Sequence, residues 1–95
     1  MKQRTVRLGG VRYRVRWVAR LGKVPHTKHD KAGDCDVTAR EIRIVGGLDE
    51  HEERRVLIHE ALHACLPMLD EEAVDKASEE VNEMLTRCGF PPVRS

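Results

Sequence analysis

The sequence predicts an α+β domain in which a small antiparallel sheet of three strands packs on a helical hairpin. Two stretches alternate apolar and polar residues with the period of a half-buried strand: "VRYRVRWV" after Gly9-Gly10, and "REIRIV" at 40–45. Two later stretches repeat their apolar residues at helical spacing, and Pro67 stands between them. At 95 residues, 40% of them hydrophobic, the whole chain 1–95 is expected to form one domain around a single modest core. With one Trp, one Tyr and one Phe, that core must be mostly aliphatic.

The first two strands read as a hairpin, "TVRLGGVRYRVRWV". Gly9-Gly10 supplies the positive φ angles of a tight two-residue turn. Val11, Tyr13, Val15 and Trp17 face the core, and Arg12, Arg14 and Arg16 face away. Residues 19–36 lack periodicity, carry Gly, Pro and Asp, and are expected to be loop. The third strand, 40–45, turns Ile42 and Ile44 inward and ends at Gly46-Gly47. Asp49 is placed to cap a helix whose first turn is acidic, and Pro67 stops that helix after about Leu66. A second helix begins near Asp70, with Val74, Ala77, Val81, Met84, Leu85 and Cys88 as its apolar stripe. Gly89, Pro91 and Pro92 end it.

The opening "MKQRTVRLGG" has no apolar signal-peptide core, and no run approaches membrane-spanning length, so a cytoplasmic address and no membrane partner are expected. Cys35, Cys65 and Cys88 are widely spaced without a CxxC, the pattern of reduced thiols. The net charge of +1 conceals an asymmetry. Residues 1–31 hold ten Lys or Arg against Asp30 alone, or +9, and the remainder holds seven basic and fifteen acidic residues, or −8. A basic half invites a nucleic-acid reading. The expectation is nevertheless against specific nucleic-acid binding, because the −8 remainder would repel the polymer and the two rings able to stack bases point to the core.

The chemistry of the chain is concentrated in "VLIHEALHACL", residues 56–66. Residues four apart lie one turn above each other on a helix, so His59 and His63 can reach one point and form two legs of a tetrahedral zinc site. Glu60 is rotated about 100° from His59 and cannot be an equivalent leg. It is placed instead to take a proton from a metal-bound water, the arrangement of metal-assisted hydrolysis. The flanking Val56, Leu57, Ile58, Ala61, Leu62 and Leu66 are those of a buried helix, where unsatisfied imidazoles and a carboxylate would cost several kcal/mol, roughly.

"HEALH" preceded by "VLI" resembles the zincin metallopeptidases. The longer stretch "CDVTAREIRIVGGLDEHEERRVLIHEALHACLPMLDEEAV" resembles the small zincin-like proteins of phages and prophages, over about residues 35–88. The resemblance implies a minimal zincin-like fold, one Zn2+, a peptide or protein substrate, and a gluzincin-like site closed by a glutamate from the following helix. It also suggests that substrate binds along the exposed edge of the 40–45 strand. The chain lacks HExxHxxGxxH, so a third histidine at that spacing is excluded. If the turn at 67–70 folds the second helix back antiparallel, Glu71, Glu72, Asp75 or Glu79 come opposite the histidines sooner than Glu83. Glu71 falls about 60° from Val74 on the wheel and flanks the apolar stripe, whereas Glu72 falls about 160° away. The expected metal ligands are therefore His59, His63 and Glu71, with Glu72 in reserve and Glu60 as catalytic base. His26 and His29 in the loop are minor candidates for stabilising an oxyanion. Cys35 is a minor candidate for a fourth, thiolate ligand.

Overall fold

The computed structural model describes residues 2–24 and 30–92. Strands β1 (Gln3–Leu8), β2 (Val11–Val18), β3 (Gly33–Asp36) and β4 (Glu41–Val45) precede helices α1 (Glu50–Cys65) and α2 (Glu71–Arg87). The strands form one sheet in the order β1-β2-β4-β3. The expected hairpin is present: β1 and β2 are antiparallel with Leu8 opposite Val11. Gly9 (φ 60°) and Gly10 (φ 78°) turn the chain in the left-handed region that other residues avoid.

The α+β class and the helical hairpin stand, but the sheet differs from the expected three antiparallel strands. It has four, and β2 runs parallel to β4, with Arg14 opposite Glu41 and Val18 opposite Val45. Residues 33–36, expected in a loop, form β3, antiparallel to β4. Alternation along a strand fixes which face is buried but carries no information on direction. Here the chain reverses before β3 and again in the turn 37–40, so β4 regains the direction of β2. That turn is closed by Asp36, whose carboxylate accepts from the Ala39 N–H at 3.0 Å, and by Arg40 at φ 54°. Because β3 lies outside it, β4 is not an edge strand. The outermost strands of the sheet among the described residues are β1 and β3.

One face of the sheet carries the core. Tyr13 and Val15 of β2, Ile42 and Ile44 of β4, and Val56 and Ala64 of α1 are buried together, with Leu8, Val11, Trp17 and Leu57 packed around them. Helix α1 lies on this face between the sheet and α2, and α2 touches α1 without reaching a strand. Both helices start on the aspartates that the sequence indicates: Asp49 accepts from the Glu52 N–H at 3.0 Å and Asp70 from the Ala73 N–H at 2.8 Å. The helices are fastened at their far end by Arg54. Its guanidinium donates to the Asn82 side chain at 2.5 Å and main-chain carbonyl at 2.9 Å, and to Thr86 and the Phe90 carbonyl. Neither helix is long and apolar enough to cross a membrane.

Candidate metal centre

The antiparallel helix pair brings the middle of α1 against the first turns of α2. His59 and His63, one turn apart on α1, point the same way, with their Nε2 atoms 3.2 Å apart. Glu71, in the first turn of α2, faces both: Oε1 is 2.8 Å from His59 Nε2 and Oε2 is 2.9 Å from His63 Nε2. One turn on, Asp75 places Oδ1 3.1 Å from the other nitrogen of His59, Nδ1. Carboxylates four apart on α2 thus answer histidines four apart on α1. His59 is buried, His63 half-buried and Glu71 open to solvent.

This donor set fits a cation. Two ligands each about 2.0–2.1 Å from a tetrahedral zinc stand about 3.3 Å apart, close to the separation of the two Nε2 atoms. The proton count points the same way. Two neutral imidazoles can both donate to Glu71 only as Nε2–H tautomers, which leaves His59 Nδ1 an acceptor facing the Asp75 carboxylate. His59 Nδ1 is indeed buried without a well-directed hydrogen bond. A cation on the Nε2 side moves the proton to Nδ1, where Asp75 can accept it. That is how an outer carboxylate fixes the tautomer of a ligating histidine.

Glu60 lies beside the cluster, with a carboxylate oxygen, His59 and His63 all within 4.8 Å of one another. It is buried, and its pKa is pushed up to about 7, first by burial and then by the charges of Glu71 and Asp34, with Lys31 and Arg55 pulling the other way. It looks into a cleft of about 830 Å3 between β3 and the helices, into which His59, His63, Glu71 and Asp75 also open.

The wall opposite α1 is β3, and a glycine positions it. A Cβ on Gly33 would stand 2.6 Å from Val56 Cγ1 and 3.3 Å from Glu60 Cγ. Only the missing side chain lets the edge strand approach the helix beside Glu60. Nothing in the sequence discloses this strand, since "GDCD" offers neither alternation nor β-branched residues, and the sequence offers Asp75 only as an alternative third ligand. An acid four residues after Glu71 was the available signal.

Glu72 and Cys35 stand apart from the cluster. Glu72 is exposed, and the ion-pair partners of the two histidines on α2 are Glu71 and Asp75. Cys35 is on the cleft wall but belongs to neither group of candidate ligands, and burial, then Glu60, push its thiol up to about 11, so it is protonated at neutral pH. His26 and His29 lie outside the described residues. The edge that borders the cleft is β3 and not the 40–45 strand, which is interior to the sheet. Comparison with known proteins finds no matching family model, no matching curated protein and no matching solved structure.

Proposed function

We propose that the cleft hydrolyses peptide bonds with one zinc ion held by His59, His63 and Glu71. The observation that carries this reading is the Glu71 carboxylate, which faces both helix histidines at 2.8 and 2.9 Å while Glu60 stands beside them in an open cleft. A zinc ion there would acidify a water molecule and polarise the scissile carbonyl. The side chains supply the rest. Glu60 takes a proton from that water on its carboxylate and returns it to the leaving amide nitrogen. Asp75 holds the His59 ring through Nδ1. An extended peptide pairs with the outer edge of β3, where its main-chain groups add a strand and its scissile bond passes over Glu60.

The test is cleavage of a mixed peptide library by zinc-loaded protein, followed by mass spectrometry, with Glu60→Gln in parallel. The amide cannot take the proton, so the variant should keep one zinc per chain and cleave at least about 100-fold more slowly. Equal cleavage by wild type and Glu60→Gln, or no cleavage by zinc-loaded wild type, defeats the proposal.

A further inference from the structure

The face of the sheet turned away from the helices is a second charged surface, on the opposite side of the sheet from the cleft. Partnered residues on adjacent strands share a face, so Arg7 lies beside Arg12, Thr5 beside Arg14, Gln3 beside Arg16, and Arg14 and Arg16 beside Glu41 and Arg43. No other described element covers this face, since both helices lie on the core side. Every basic residue on it is an arginine.

Part of this charge is neutralised within the sheet. Glu41 binds Arg14 at 2.9 Å and Arg16 at 3.2 Å, one carboxylate between two guanidiniums. Arg43 is held by Asp34 at 2.5 Å. Arg12 and Arg40 form no ion pair or side-chain hydrogen bond among the described residues. With Gln3, Thr5 and Arg14 they line a shallow concavity of about 430 Å3. Arg7, Arg12 and one charge shared by Arg14 and Arg16 therefore remain uncompensated on this face. The nearest further acid, Asp36, is two strands from Arg14, roughly a Debye length at 0.1 M salt.

We infer that this face binds the phosphate backbone of double-stranded nucleic acid, independently of base sequence. Guanidinium is the side chain whose planar fork matches phosphate oxygens, and it is weakly hydrated. Apart from the half-buried pair Val18 and Val45 at one end, the strand residues of this face are polar or charged, and nucleic-acid interfaces are more polar and more positive than protein interfaces. Tyr13 and Trp17 are turned toward the core side, so nothing on this face stacks bases, which disfavours single strands. The repulsion expected from the acidic part of the chain is small. The run Glu72, Glu79, Glu80 and Glu83 is on α2, which is separated from the sheet by α1, and each helix layer adds about 8–10 Å against a Debye length of about 8 Å.

The experiment is fluorescence anisotropy of a labelled 20-base-pair duplex titrated with the protein between 50 and 200 mM salt. About three phosphate contacts give a slope of log K against log salt near −2.7, and so a loss of affinity of roughly 40-fold across that range. Arg7→Ser with Arg12→Ser and Arg14→Ser should flatten the slope to near zero and weaken binding at least about tenfold at 50 mM salt. A control that removes as much charge elsewhere, Arg20→Ser with Lys76→Ser and Arg87→Ser, should keep most of the slope, and circular dichroism confirms that both triple variants are folded. No duplex binding at 50 mM salt overturns the inference, as does an equal effect of the two triple variants. Tighter binding of the single strand, or equal competition by polyglutamate, replaces the duplex by another polyanion and also overturns it. The cleavage test of the metal site leaves this surface untouched, so each can fail alone.

Discussion

Glu71 and Glu72 are sequence neighbours with the same chemistry, about 100° apart on the helix. That rotation puts one carboxylate against both histidines and the other in water. Metal analysis after dialysis separates them: Glu71→Gln should lose most of its zinc, and Glu72→Gln should retain one per chain. Zinc retained by Glu71→Gln would move the third ligand elsewhere. The convergence of His59 and His63 with Glu60 beside them was legible in the sequence, because positions on one helix fix which side chains converge whatever packs beside them. Glu71 was reached only by assuming that α2 folds back antiparallel. The place of Asp75 was not legible, because it depends on how closely α2 approaches α1. Cys35 allows a second residue-scale test. A thiol pushed up from 9.0 to about 11 has roughly 100-fold less thiolate at pH 8 than an ordinary one, and the thiolate is what reacts. With iodoacetamide at pH 8, Cys35 should label far more slowly than the exposed Cys65 and Cys88, and should gain on them as pH rises toward 11. Labelling at the same rate as those two would show that burial does not hold the thiol protonated.

At the scale of the elements, α1, α2 and the hairpin could be read because each carries its own signal: capping aspartates, apolar periodicity, and a Gly-Gly turn. The strand β3 carries none. Its four residues, Gly-Asp-Cys-Asp, are poor strand formers, and they are extended because β4 offers a partner on one side and α1 a surface beneath. The direction of β4 was illegible for the same reason, since it depends on reversals made by segments without periodicity. Gly33 is the position on which β3 depends. Alanine there would put a methyl group 2.6 Å from Val56 Cγ1 with the Arg43 carbonyl 3.2 Å away, so the strand or the helix must move. Gly33→Ala should destabilise the fold by about 1–3 kcal/mol, the usual cost of overpacking. Val56→Ala removes the methyl it meets, so the double variant should be less destabilised than the sum of the two singles in chemical denaturation. Simple additivity would show that the contact with Val56 does not set the distance between β3 and α1.

Across the whole molecule, α2 is the element with least support. It packs on α1 alone, burying Val74 and Ser78, while Met84 and the following Phe90 stay exposed. Its attachments are the Arg54 hydrogen bonds at one end and the Glu71 and Asp75 carboxylates against the α1 histidines at the other. A zinc ion held by His59, His63 and Glu71 would therefore cross-link the two helices, and its binding free energy would add to stability. At a free zinc concentration of 100 times the dissociation constant this is about 2.7 kcal/mol. In a chain this small each kcal/mol raises Tm by about 4–8 °C, so chelation should lower Tm by roughly 10 °C or more. Glu60→Gln, which leaves the ligands in place, should show the same zinc-dependent shift, and His63→Ala should show almost none. Hydrogen exchange locates the effect: on chelation the amides of α2 should exchange faster, while those of β2 and β4 stay protected to nearly the global limit. If chelator leaves Tm unchanged, or shifts His63→Ala as much as wild type, the ion does not join the helices at this site.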